Sequence, residues 1–110
     1  MLLRQLASRI ITMTYKHSLG EVIKDFRLAA DLTQRKLASR AHISHNYLSE
    51  VERGVKELSS EILENIADGL RVPSYEIVIE TGYRMAESTI PNSYEDFVSD
   101  SFLRDNTPVR

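Results

Sequence analysis

Apolar residues recur along residues 18–72 at the three- and four-residue spacing of α-helices, in four separate stretches. The first stretch begins at Ser18, where Glu21 three residues later completes a capping-box pattern. The second and third stretches are short, and only residues 41–43 separate them. The fourth follows Ser59, a typical N-cap. The apolar positions of the four stretches are Leu19, Val22, Ile23, Phe26 and Ala30; Leu37, Ala38 and Ala41; Leu48 and Val51; and Ile62, Leu63, Ile66, Ala67 and Leu70.

The third stretch, residues 44–54, predicts a helix of about ten residues with one apolar and one polar face. Ser44 is a typical N-cap, and Gly54 is a typical helix stop in the left-handed conformation. The opposite face carries hydrogen-bonding side chains with too little apolar surface to be core. Such a helix suits the major groove of DNA, where side chains of this kind read base edges. An ordinary amphipathic surface helix would show the same pattern. The polar residues are His45, Asn46, Ser49 and Glu50.

The second stretch predicts a helix capped by Thr33, and the turn after it is short enough to make the two helices cross steeply. Such a crossing requires a small residue at the contact, and Ala38 supplies it. His42 holds a turn position where glycine is common, and histidine tolerates a positive φ better than most residues. The spacing from Gln34 to Val51 is that of a helix-turn-helix.

Arg27 lies beside the apolar stripe of the first helix, where an unpaired guanidinium would be costly to bury. It therefore needs a carboxylate partner. Glu52, at the end of the third helix, is the candidate. We expect this ion pair to be structural, because it would fix how the third helix sits against the first.

Several motifs in the chain resemble known helix-turn-helix proteins. The Arg27 and Glu52 pair resembles the ion pair between the first and third helices of the Cro/C1 (XRE) family. The resemblance to this family covers residues 18–72. The Tyr-Leu-Ser-Glu-Val-Glu-Arg-Gly motif at residues 47–54 and the segment 72–86 are similar, more narrowly, to the ClgR-type transcriptional regulators of actinobacteria. The resemblance implies an all-α, five-helix, phage-repressor-like helix-turn-helix bundle with a C-terminal dimerisation helix.

The resemblance also implies which residues meet DNA. Asn46 could pair with adenine, Glu50 could accept from cytosine N4, and His45 could donate to guanine or to phosphate. Glu50 could instead pair with Arg53, and Tyr47 could pack its ring while its hydroxyl reaches a phosphate. The implied base contacts are Ser44, His45, Asn46 and Glu50, and the implied phosphate contacts are Gln34, Tyr47, Arg53 and Lys56.

The net charge of −2 is distributed unevenly along the chain. Residues 1–58 carry ten Lys and Arg against six Asp and Glu, whereas residues 59–110 carry four against ten. The basic half contains the helix-turn-helix, which is expected if one face of the protein meets phosphate.

Other function classes find little support in the sequence. The chain has no cysteine, which excludes disulfides and fits a reducing cytoplasm, where a DNA-binding protein would be associated with the nucleoid. No glycine-framed nucleophile, phosphate loop or third ligand to the His42 and His45 pair is present, so we expect no catalytic residue, metal or cofactor. No apolar run reaches the roughly 18 residues of a membrane span.

The flanking segments predict self-association and further partners. Residues 1–17 read as an N-terminal extension, helical or frayed, and residues 73–88 as a dimerisation helix, although 77–79 could be a short strand. Residues 89–110 form an acidic tail with a candidate short helix. The apolar side chains of the dimerisation helix do not fit one narrow stripe, so a second subunit would cover some of them. They are Tyr75, Ile77, Val78, Ile79, Tyr83 and Met85.

Two functions follow as hypotheses. The first is a transcriptional regulator that binds a pseudo-palindromic operator in double-stranded DNA as a homodimer. By resemblance it would activate Clp protease and proteostasis genes, with RNA polymerase and, through the tail, Clp protease as candidate partners. The alternative is a helix-turn-helix protein-interaction module of the antitoxin or coactivator type.

Overall fold

The computed structural model describes residues 2–89, with side chains for residues 15–87, and in that range the chain forms five helices and no strand. The predictions for residues 90–110 lie outside the described residues. The segment 77–79 is helical, which removes the strand alternative. The helices are α1 (Leu2–Ala29), α2 (Gln34–Ala41), α3 (His45–Glu52), α4 (Ser60–Leu70) and α5 (Ser74–Thr89).

The first helix starts earlier than the sequence predicts. α1 begins at Leu2, and Ser18 lies within it with 2% of its surface exposed, so the capping box at Ser18 and Glu21 is wrong. A cap is needed only where the first amides of a helix lack partners. Residues 2–17 continue the helix on the N-terminal side, so the amides after Ser18 are not at a helix end. Ala30 follows the helix and is exposed rather than core.

One hydrophobic core joins all five helices. Removing each Leu, Ile or Val of this core from water contributes about 1.5–3 kcal/mol, which makes the core the main source of stability. The helices surround it because their buried positions follow the helical period predicted from the sequence. The buried residues are Leu19, Val22, Ile23, Leu37, Ala38, Ala41, Leu48, Val51, Ile66, Ala67, Leu70 and Ile77.

α1 and α3 approach each other closely at Gly20. A Cβ atom at this position would lie 2.3 Å from the carbonyl oxygen of Val51 and 2.8 Å from that of Glu52. The absence of a side chain thus lets α1 pack directly on the backbone at the C-terminal end of α3. This contact sets the depth at which α3 sits on the core.

A buried ion pair joins the same two helices. Arg27 Nε donates to Glu52 Oε2 at 2.7 Å, and Arg27 Nη2 donates to Glu52 Oε1 at 3.0 Å. The third guanidinium nitrogen, Nη1, donates to the carbonyl oxygen of Leu32 at 2.9 Å. Because both residues are only 7% exposed, each charge depends on the other for compensation. The pair therefore fixes the orientation of α3 on α1.

α5 lies antiparallel along α1. Ile77 and Thr81 point into the core, and the Thr81 hydroxyl donates to the carbonyl oxygen of Ile77 at 2.7 Å. Arg84 forms an ion pair with Asp25 of α1 at 2.7 Å. The hydrogen bond to Asp25 raises the pKa of Arg84. Ile77 thus belongs to the core of its own chain, and its prediction as a dimer-interface residue is wrong.

Replacing Gly20 by alanine tests the contact between α1 and α3. The added Cβ would overlap two carbonyl oxygens that belong to a helix backbone, so we expect the free energy of unfolding to fall by about 1–3 kcal/mol or more. Gly82→Ala is the matched control, since nothing lies within 4 Å of a Cβ at Gly82. It should stabilise the chain by about 0.5–1 kcal/mol through helix propensity. Urea denaturation of both variants measures the difference, and equal stabilities would contradict the close packing.

Replacing Arg27 by alanine tests the buried ion pair. The Glu52 carboxylate would stay buried without its cation, and we expect a loss of about 3–5 kcal/mol in the free energy of unfolding. Lys24→Ala, at an exposed position on the same helix, should change it by no more than about 0.5 kcal/mol. A thermal unfolding midpoint for Arg27→Ala that matches the Lys24→Ala value would show that the pair is dispensable.

Candidate nucleic-acid interface

α2 and α3 form a tight helix-turn-helix. α2 is followed by its C-cap His42, whose backbone is in the left-handed region with φ of 58°, and the amide of Ile43 donates to the carbonyl oxygen of Ala38 at 3.0 Å. Ala38 is 2% exposed, as expected for a small residue where two helices touch. Thr33 and Ser44 cap the two helices by accepting from the amides of residues 36 and 47. The sequence predicted the two caps, the small contact residue and the positive φ at His42.

The C-terminal end of α3 is closed by a Schellman motif. Gly54 has φ of 76°, its amide donates to the carbonyl oxygen of Val51, and the amide of Val55 donates to that of Glu50. The Tyr47 hydroxyl donates to the carbonyl oxygen of Glu57 at 2.7 Å and ties the following loop to α3. Both ends of the helix are therefore held, so its polar face is presented in one orientation.

The predicted base-contact residues lie together at the exposed side of α3. Asn46 and Ser44 are exposed, whereas His45 and Glu50 are half-buried. The Ser44 hydroxyl oxygen accepts the amide of Tyr47 as the N-cap, which leaves its proton free to donate. Among the side chains that the structure describes, Glu50 and Arg53 form no ion pair, so the alternative partner for Glu50 is not seen. The exposed side of α3 thus carries hydrogen-bond donors and acceptors on the side chains of its predicted base-contact residues.

Two of the predicted phosphate contacts are engaged within the chain. Tyr47 has one hydroxyl proton, and that proton is used on Glu57, so donation to a phosphate would require breaking this bond. Gln34 donates from Nε2 to Glu52 Oε1 at 2.8 Å, and its Oε1 lies 3.0 Å from His45 Nε2. Arg53 and Lys56 are exposed and form no described ion pair. They are the cations at the end of α3 that are available to a phosphate.

The hydrogen bonds of Gln34 connect the start of α3 to the buried ion pair. The network runs from Arg27 through Glu52 and Gln34 to His45, and thus joins α1, α2 and both ends of α3. The sequence separately suggested a structural pair and a Gln34 phosphate contact, but not this link. The sequence gives little sign of the bond between Gln34 and His45, because the two side chains come together only when α2 and α3 cross at the angle seen in the structure.

α5 presents an exposed apolar surface, which we call the α5 stripe and define as Tyr75, Val78, Ile79 and Tyr83. These side chains are 50–67% exposed and recur at three- and four-residue intervals, so they form one stripe on the face opposite Ile77. Gly82 lies within this stripe and leaves open space. Met85 is half-buried. Four of the six predicted interface residues are therefore on one accessible face.

Within the described part of the chain, no three His, Asp or Glu side chains gather as a metal site. No helix in the same range combines the length and the apolar character needed to cross a membrane.

Comparison with known proteins agrees with this geometry. A family model described as helix-turn-helix matches residues 23–77. The transcriptional regulator ClgR of Mycobacterium tuberculosis is 42% identical over 67 residues, which are 61% of this chain and 60% of ClgR. The chain thus matches only three-fifths of that relative's length.

Two solved structures are similar over most of their length. The crystal structure of the clp gene regulator ClgR from Corynebacterium glutamicum has a TM-score of 0.66 and 29% identity, covering 86% of this chain and 96% of that one. The restriction-modification controller protein C.Esp1396I, as a tetramer in complex with its natural 35 base-pair operator, has a TM-score of 0.62 and 27% identity. That match covers 66% of this chain and 96% of the controller protein.

The matched residues 23–77 contain the α2 and α3 pair, the ion pair that orients it and the start of α5. The chain therefore belongs to the helix-turn-helix family of the XRE type, a family of transcriptional regulators and not of enzymes.

Proposed function

We propose that this protein is a sequence-specific transcriptional regulator that binds a pseudo-palindromic operator in double-stranded DNA as a homodimer. The observation that carries the proposal is the anchoring of α3. A helix of eight residues is held at both ends and along one face, while its other face carries Asn46 and Glu50, whose side chains bond to no group among the described residues. Such a helix can enter the major groove without first having to order its backbone.

The base contacts in this proposal follow from the chemistry of the exposed side. Asn46 is exposed and its amide matches the donor and acceptor pair on adenine. Glu50, which no described cation neutralises, would accept from cytosine N4. Ser44 keeps a proton to donate, and His45 reads the base nearest the start of α3. All four lie within the first two turns of the helix or at its cap.

The phosphate contacts come from the residues that flank α3. Arg53 and Lys56 are exposed beyond the helix end, and Gln34 keeps one amide proton after its bond to Glu52. Tyr47 would contribute only after its hydroxyl leaves Glu57. These groups would set the register of the protein on the duplex, while the base contacts would set the sequence.

The dimer in this proposal uses the α5 stripe. Apolar residues on the surface of a monomer are usually scattered singly, whereas the α5 stripe places four large apolar side chains in one contiguous exposed patch. A second copy, related by a two-fold axis, would cover the row with its own α5. Two recognition helices could then reach half-sites about one helical turn, or about 34 Å, apart. The operator complex of the tetrameric controller protein supports an oligomer on DNA.

The target genes are proposed from the relatives alone. Two of them are named ClgR, and one of these is described as a clp gene regulator. We infer that this protein activates genes of the Clp protease and of proteostasis in the cytoplasm, at the nucleoid. RNA polymerase and Clp protease are the further partners that this role would involve.

Asn46→Ala and Lys56→Ala separate base contacts from phosphate contacts. Asn46→Ala should weaken operator binding by about 1–3 kcal/mol and leave binding to random DNA nearly unchanged. Lys56→Ala should weaken both, and should reduce the slope of log affinity against log salt concentration by about one.

Fluorescence anisotropy over a salt series measures both effects. Equal losses on operator and random DNA for Asn46→Ala would contradict its assigned contact. No DNA binding by the unmodified protein at low salt would favour the protein-interaction module instead, because counterion release makes low salt the most permissive condition.

Ile79→Glu tests the proposed dimer. A carboxylate in the middle of the α5 stripe would have to be desolvated at the interface, so self-association should weaken at least about tenfold, or about 1.4 kcal/mol. Val55→Glu is the control, because Val55 is similarly exposed but lies in the loop after α3. Sedimentation equilibrium without DNA measures the dissociation constants. An Ile79→Glu protein that remains as dimeric as Val55→Glu would place the interface elsewhere.

A further inference from the structure

The hydrogen bonds at the start of α3 determine which ring nitrogen of His45 carries a proton. The starting point is the Glu52 carboxylate, which is buried and accepts two bonds from Arg27. A carboxylate paired with an arginine is ionised and can only accept. The group of Gln34 that lies 2.8 Å from Glu52 Oε1 must therefore be its amino group, because a carbonyl oxygen there would be repelled.

The orientation of the Gln34 amide in turn fixes His45. With the amino group on Glu52, the carbonyl oxygen Oε1 is the atom that lies 3.0 Å from His45 Nε2. A carbonyl oxygen only accepts, so Nε2 must carry the proton and donate. A neutral imidazole has one N–H, and its other nitrogen, Nδ1, is then an acceptor. No described residue donates to Nδ1.

We infer that Gln34 is a positioning residue that makes neutral His45 a hydrogen-bond acceptor toward DNA, so that His45 selects an exocyclic amino group. This inference rests on the proposed function. In the major groove, the amino groups of adenine N6 and cytosine N4 are donors, whereas guanine N7 and O6 are acceptors. Nδ1 complements the first set and is repelled by the second. The donation to guanine expected from the sequence is thus reversed while the imidazole is neutral.

The tautomer of His45 is held by a chain of hydrogen bonds that extends to the buried pair of Arg27 and Glu52. Changing the tautomer of His45 would require the Gln34 amide to rotate, and rotation would set its carbonyl oxygen against the Glu52 carboxylate. Glu52 cannot turn away, because Arg27 holds both of its oxygens. The buried ion pair thus contributes to base selection without touching DNA, through one amide side chain.

The tautomer can be tested on the free protein. In a nitrogen-15 spectrum recorded at alkaline pH, where imidazoles are neutral, His45 should show a proton on Nε2 that exchanges slowly with water. Gln34→Met, which keeps the side-chain length but has no amide, should abolish this slow exchange while the His42 signals remain unchanged. A proton on Nδ1 in the unmodified protein, or slow exchange that persists in Gln34→Met, would overturn the inference.

The base selected by His45 can be tested on an operator recovered from a random DNA pool. The position read by His45 is the one where His45→Ala loses its preference. There, replacing adenine by purine or cytosine by 2-pyrimidinone removes only the amino group, and should weaken binding by the unmodified protein about three- to tenfold. The same change should have no effect on His45→Ala.

A 7-deaza purine at that base pair supplies the opposite test, because it removes the N7 acceptor. Binding by the unmodified protein should be unchanged. A loss with the 7-deaza base and none with the missing amino group would overturn the inference and leave the proposed function intact. A pool in which no sequence is enriched would overturn the proposed function itself.

Discussion

The buried pair of Arg27 and Glu52 is the interaction on which the orientation of α3 depends. Four hydrogen bonds of this pair hold the end of α3 on α1, bind the carbonyl of Leu32 in the loop before α2, and reach α2 through Gln34. Burying two charges is not by itself favourable, and apolar residues of similar volume often give equal stability. The pair instead fixes the orientation of α3 on α1, because a guanidinium and a carboxylate form two parallel hydrogen bonds only within a narrow range of angles.

The orientation of α3 matters because its polar face would have to form hydrogen bonds with base edges, whose positions in the groove are fixed. α3 is only eight residues long and contributes two apolar residues, Leu48 and Val51, to the core. Its position is further restricted by the contact at Gly20, the Schellman motif at Gly54 and the hydrogen bond of the Tyr47 hydroxyl. The same contacts that stabilise the fold therefore preorganise the candidate DNA-binding surface.

The sequence was sufficient for the helix-turn-helix because its signals are local. The caps Thr33, Ser44 and Ser59 each depend on a few neighbouring residues and lie where they were predicted. The apolar positions predicted for α2 and α3 are likewise buried. The Arg27 and Glu52 pair could be proposed from the cost of burying a charge, and the structure places the two groups together.

The remaining features depend on contacts that local patterns do not encode. Ser18 with Glu21 has the spacing of a helix start, but whether it acts as one depends on the conformation of residues 2–17. In α5, the buried Ile77 is followed directly by the exposed Val78 and Ile79, so Ile77 could be assigned to the core only once the packing of α5 on α1 was known. The bond between Gln34 and His45 requires the crossing angle of two helices.

A cleavage reagent attached to α3 would test the central claim most directly. The chain has no cysteine, so Ser49→Cys gives a single attachment site for iron-EDTA in the middle of the polar face. On a bound operator, the account predicts two clusters of DNA cleavage, centred about one helical turn or about 34 Å apart. Cleavage no stronger than that produced by the unattached reagent would show that α3 does not lie in the groove, and would contradict the account.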